Sequence, residues 1–136
     1  MKYEFLEHTS DIKFRAYGNS IEECFANAAE AMTKIMTDPE KIEGKIIKVI
    51  QLSGKDLKQL LLNFLEELLF LLDTENFILN KVTSIKITPK GKEYFLSATF
   101  LGDKIDGKYE IETGIKAVTY MDMEVKEKYV QVVVDI

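Results

Sequence analysis

The sequence predicts an α+β fold, a single domain (1-136) with two helices packed on a mixed or antiparallel β-sheet. Two amphipathic stretches with apolar residues at intervals of three and four are each set between strand-like runs. Everything after Phe77 has strand character, and a length of 136 residues suits one domain of about 150. Helices interleaved with strand pairs and followed by hairpins place one helical layer against a sheet.

Each element has a local reason. Tyr3 and Phe5 alternate with Lys2 and Glu4, and Ile12, Phe14 and Ala16 alternate with Lys13, Arg15 and Tyr17, the period of half-buried strands. Gly18-Asn19 breaks the second strand, and Ser20-Ile21-Glu22-Glu23 is a capping box that starts a helix. Its stripe is Ile21, Cys24, Phe25, Ala28, Met32, Ile35 and Met36, and Asp38-Pro39 ends it. The β-branched run Ile46 to Ile50 reads as a strand, and Ser53-Gly54-Lys55-Asp56 precedes the longest helix, from about Leu57 to Leu72. Leu60, Leu61, Phe64, Leu65, Leu68 and Leu69 share one face, while Leu62, Phe70 and Leu71 fall elsewhere and leave little surface for water. Ile85-Lys86-Ile87 and Tyr94 to Leu101 form a hairpin about Pro89-Lys90-Gly91, with Pro second and Gly fourth in a type I turn. A solvated loop, Gly102 to Gly107, then leads to strands at Ile115 to Tyr120 and Val130 to Val134.

Composition narrows the function. Hydrophobic residues at 46% exclude a disordered chain, and the longest apolar run, Leu68 to Leu72, is far too short to span a bilayer, so no membrane role is expected. No secretion leader is visible at Met1-Lys2-Tyr3-Glu4 and Cys24 is the single cysteine, so the expected location is cytoplasmic. The charge, 18 − 23 = −5, has the wrong sign for gripping a polyphosphate, so a nucleic acid would be carried by a partner. There is no phosphate loop, nucleophile elbow or four-ligand zinc set.

What remains is oxygen chemistry. Glu7-His8-Thr9-Ser10-Asp11 is a polar run wedged between apolar strands, and it also reads as a plain turn capped by Thr9 or Ser10. His8 alone fits either a proton shuttle or a hydrogen-bonding turn residue. At the other end of the chain, a strand through Val134 would hold Asp135 beside the α-carboxylate of Ile136. Paired carboxylates repel unless a cation sits between them, and hard oxygens of this kind suit Ca²⁺ or Mg²⁺, with Mn²⁺ a further candidate. A frayed polar tail is the competing reading. Asp73-Thr74-Glu75 places acid at a helix carboxyl end, where it is electrostatically unhelpful.

Four segments together, Tyr3 to Ile12, Leu71 to Phe77, Ile115-Lys116-Ala117-Val118-Thr119-Tyr120 and Val133-Val134-Asp135-Ile136, resemble the archease family over the whole chain. The resemblance implies an accessory protein, not itself an enzyme, that activates the GTP-dependent tRNA-splicing RNA ligase. That metal-dependent ligase joins RNA ends bearing a 3′-phosphate or 2′,3′-cyclic phosphate. The accessory protein would assist guanylylation of the ligase's active-site histidine and restore it for repeated turnover, meeting tRNA only indirectly. It further implies a metal site of Asp11, Asp135 and the carboxylate of Ile136, with His8 and Thr9 positioning Asp11 and with Asp73 more than a solvating residue. Met121 stands where family members often have His, and a second His common in the family in the loop before that strand is absent, with Lys108 or Tyr109 nearby. Two other classes compete: an independent metal-dependent hydrolase acting on phosphate esters or RNA, and a passive assembly or chaperone module.

Overall fold

The computed structural model describes every residue from Met1 to Ile136 except Thr9, so the supporting role expected of Thr9 lies outside the described residues. In chain order the elements are β1 (Tyr3–Leu6), β2 (Ile12–Tyr17), α1 (Ile21–Met36), a 3₁₀ turn (Pro39–Lys41), β3 (Ile46–Gly54), α2 (Leu57–Glu75), β4 (Phe77–Lys90), β5 (Glu93–Lys104), β6 (Ala117–Val125) and β7 (Tyr129–Asp135). Ser20 caps α1 as the sequence predicts, its hydroxyl accepting from the Glu23 amide at 3.1 Å. Asp56 caps α2 in the same way, accepting from the Gln59 amide at 2.8 Å. Asn76 closes α2 in the left-handed region at φ 56°, a conformation Asn tolerates better than most residues.

The α+β class holds, with two helices and a wholly antiparallel arrangement of strands, but the strands divide into two sheets instead of one. One sheet has the order β1-β2-β7-β6 and the other β3-β5-β4. Each helix packs against strands of both sheets. The reason lies in α2, whose buried residues run from Leu60 and Leu61 through Phe64, Leu65, Leu68 and Leu69 to Leu71. One sheet covers only one side of such a helix. Phe14 and Ala16 of β2, Phe25 and Met32 of α1, and Leu96 and Phe100 of β5 join it in a single core. Among the described residues no helix is long and apolar enough to cross a membrane.

Three local expectations are corrected. The hairpin turns at Gly91-Lys92, because Pro89 pairs with Tyr94 and Lys90 with Glu93; Gly91 at φ 65° supplies the positive φ that tight two-residue hairpins require. Asp103 is no solvated loop residue. It is 3% exposed in β5 and accepts from the Tyr109 hydroxyl at 2.7 Å, the Lys104 amide at 2.9 Å and Lys108 Nζ at 3.3 Å. These bonds satisfy the buried carboxylate, tie the long connection after β5 to the sheet, and hold the Asp103 carboxyl below the ordinary range, the Tyr109 donation foremost. Finally, the strand expected at Ile115 to Tyr120 starts at Ala117 and runs on to Val125.

Candidate functional site

Asp11 and Asp135 come together because β2 and β7 are neighbours. The last registered pair of those strands is Ile12 with Val134, so one further antiparallel step sets Asp11 beside Asp135, on the face shared with Lys13 and Arg15. β7 lies between β2 and β6, Asp135 pairs with Ala117, and the Lys116 amide donates to the Asp135 carbonyl at 2.7 Å. The end of β7 is thus held on both sides, in contrast to the frayed-tail alternative. Asp135 is exposed, Asp11 half-buried, and Ile136 is 36% exposed next to them.

His8 stands between two acids. Among the described residues its buried Nδ1 has no hydrogen-bond partner; it lies 3.9 Å from Asp11 Oδ2, while its Nε2 is 3.7 Å from Asp122 Oδ2. Asp122 also meets Lys13 Nζ at 3.2 Å. Neither Asp122 nor Lys13 was singled out from the sequence. Asp122 arrives through an irregularity in β6, where Thr119 pairs with Val133 and Glu124 with Gln131, leaving four residues opposite Val132 alone. Asp122 takes φ 52° in that bulge. Bulges re-aim side chains, and acids are poor strand formers, which is the one signal the sequence holds.

The bulge is clamped from β7. Gln131, 4% exposed, donates from Nε2 to the Asp122 carbonyl at 2.7 Å and to Glu124 Oε2 at 3.2 Å. Its Oε1 accepts from Arg15 Nε at 2.8 Å. The Tyr129 hydroxyl donates to Glu124 Oε1 at 2.7 Å, which holds the Glu124 carboxyl below its ordinary value and raises the Tyr129 hydroxyl. A buried amide with its donor and acceptor both engaged fixes the geometry under the acids.

These residues fit a hard dication in part. Among the described residues no three His, Cys, Asp or Glu side chains are grouped closely enough to hold a metal, so side chains alone do not complete a shell. Two carboxylates at one sheet end, with a chain-terminal carboxylate next to them, are the oxygen donors that Ca²⁺, Mg²⁺ or Mn²⁺ takes. The imidazole nitrogen beside Asp11 is a further polar atom without a partner among the described residues. An open groove of about 470 Å³ between the β1–β2 connection and α1 reaches this group, with Phe5, His8, Asp11 and Lys34 among its walls. Asp73 is exposed in the last turn of α2, and no hydrogen bond or ion pair among the described residues joins it to Asp11 or Asp135. Met121 is 51% exposed in the β6 bulge.

Residues 3–136 match the model of the Archease protein family (MTH1598/TM1083). Among curated relatives, "Protein archease" of Methanosarcina barkeri is 42% identical over 99% of this chain and 96% of its own length. The protein of the same name from Pyrococcus abyssi is 39% identical over 93% of this chain and 89% of its own. The solution structure of Methanobacterium thermoautotrophicum protein 1598 superposes with a TM-score of 0.83 at 33% identity, covering 99% of each chain.

Proposed function

Since the chain belongs to the archease family, we propose that it is an accessory protein of a GTP-dependent tRNA-splicing RNA ligase, promoting guanylylation of the ligase and its multiple turnover in the cytoplasm. The observation that carries this reading is the convergence of Asp11 and Asp135 at the end of adjacent strands. Phosphoryl transfer depends chiefly on positioning and on neutralising charge, so a partner that supplies carboxylates for a divalent metal assists without a nucleophile of its own. When bound, the metal supplies that neutralisation next to phosphate.

The chain's own residues hold the place for it. Asp11 and Asp135 contribute negative charge, and the α-carboxylate of Ile136 adds a third acid. Asp122, itself paired with Lys13, stands at the far nitrogen of the His8 ring, leaving Nδ1 toward Asp11. The ordered β7 end fixes the spacing between the two strands. A chain of net charge −5 suits an acidic edge docked on a basic ligase surface.

The test is multiple-turnover ligation of RNA ends by a cognate ligase, with and without this protein. Turnover beyond one equivalent of ligase is expected only with it, and native protein should exceed Asp135→Ala. Ligation unaffected by the protein would overturn the reading, while RNA cleavage by the protein and metal alone would replace it with the hydrolase.

A further inference from the structure

The group around Asp11 leaves the outer face of the β3-β5-β4 sheet unused. Ile50, Leu96, Ala98 and Phe100 are buried against the helices, so the alternate residues of these strands point outward. In the outward set, β4 carries Lys81, Lys86 and Lys90. The register sets Lys81 level with Leu101 and Ile47, and Lys86 level with Ser97 and Gln51. Central strand β5 turns Phe95 to this side, and β3 exposes Ile47 at 64% and Val49 at 71%. Hydroxyl residues lie between the two columns. Among the described residues none of the three lysines is in an ion pair; of the acids on this side of β5, Glu93 stands opposite Lys90, and Asp103 is buried and engaged by Tyr109 and Lys108.

In a chain of net charge −5 such a face reverses the local sign. We infer that the outer face of β3-β5-β4 binds single-stranded RNA, with phosphates along the β4 lysines and bases over Phe95, Ile47 and Val49. A single strand has one anionic edge and one flat apolar edge. Two strand spacings separate the lysine column from the β3 column, about 10 Å, so both edges are met at once. Lysines on an edge strand also guard against edge pairing, but guarding does not call for exposed Ile47 and Val49 and a half-buried Phe95 on the same face. An acidic peptide would satisfy the lysines and leave the apolar column idle, and a duplex would hide its bases. The inference rests on the accessory reading and changes one part of it: RNA, the polyanion that the ligase handles, is met directly and not only through the ligase.

The test uses the full chain alone, without ligase, so its failure leaves the metal edge untouched. Fluorescence anisotropy with a short labelled single-stranded RNA is followed across a salt series, with melting curves to check that the variants fold. Lys81→Gln/Lys86→Gln/Lys90→Gln is expected to weaken binding at least about tenfold and to flatten the salt slope by about 2, since each lost phosphate contact removes about 0.7. Ile47→Ser/Val49→Ser is expected to weaken binding with the slope kept. No binding at low salt, triple-variant binding equal to native, or equal affinity for a duplex would overturn the inference. Competition by polyglutamate as strong as by unlabelled RNA would also overturn it, in favour of an acidic protein partner.

Discussion

Asp122 reaches His8 and Lys13 because its backbone sits at φ 52° in a bulge held by Gln131, whereas Asp11 and Asp135 need only the ordinary ends of two strands. Removing either of the latter therefore takes away charge and little packing. Asp11→Ala or Asp135→Ala is expected to shift the metal-free melting point by no more than about 0.5 kcal/mol implies, while the stabilisation that added Ca²⁺ or Mn²⁺ gives the native protein disappears. Calorimetric titration checks the affinity directly, and undiminished binding by both variants would remove these acids from the site. A polar tag after Ile136 converts its carboxylate into an amide carbonyl, which still coordinates Ca²⁺ but without the charge. Metal affinity is expected to fall for the extended chain and not for one tagged at Met1. Equal affinities for the native and the extended chain would exclude the terminal carboxylate. Asp103 supplies the pH dependence. Its carboxyl is held low, first by the Tyr109 hydroxyl, so the unfolded chain binds the proton more readily. The resulting stability is present above the ordinary carboxylate value of about 3.9 and is lost as pH falls through the lower folded value. Tyr109→Phe should flatten the acid limb of a denaturation series, and an unchanged limb would show that another carboxylate sets it.

Among the elements, α2 is the spine: it packs against strands of both sheets, and its Leu65 is fully buried and Leu68 5% exposed. Leu65→Ala should cost about 2 to 5 kcal/mol, from lost transfer energy and the cavity left behind. Denaturant unfolding measures it, and a midpoint equal to native would mean that the face is not packed. β5 contributes a different constraint at Gly102. A Cβ there would stand 2.1 Å from the Ile78 carbonyl and 2.6 Å from the Phe77 ring, so only glycine lets β4 and β5 close at this point. The bulge in β6 places Asp122, since a regular ladder would pair its residues one for one with β7 and keep Asp122 from its present place between His8 and Lys13.

At the scale of the molecule, the two helices are enclosed between sheets whose outer faces differ in chemistry. The β1-β2-β7-β6 face ends in acids, and the β3-β5-β4 face carries the lysines of β4. The edges differ too. β4 has two register shifts and three outward lysines, and β6 is bulged, but β3 pairs through nine residues without interruption and exposes Val49. Long regular edges of this kind recruit other chains. Val49→Lys is expected to delay aggregation on warming, followed by light scattering, with little change in melting temperature. An unmoved onset would assign the aggregating edge elsewhere.

Local periodicity and capping determined most of the elements: the stripe from Cys24 to Met36, the caps at Ser20 and Asp56, the strand pattern at Ile12 to Tyr17. These rest on contacts within a few residues, so they are legible in one dimension. Asp11 and Asp135 were legible as strand-end acids for the same reason. Their adjacency was implied by the family resemblance and not by local pattern, because the neighbours of β7 are set by which apolar faces cover α1 and α2. The division into two sheets, the burial of Asp103 and the approach of Asp122 to His8 likewise follow from packing between residues far apart in the chain. Pairing across such distances is fixed only when the whole core closes, and there the tertiary structure decided what local pattern left open.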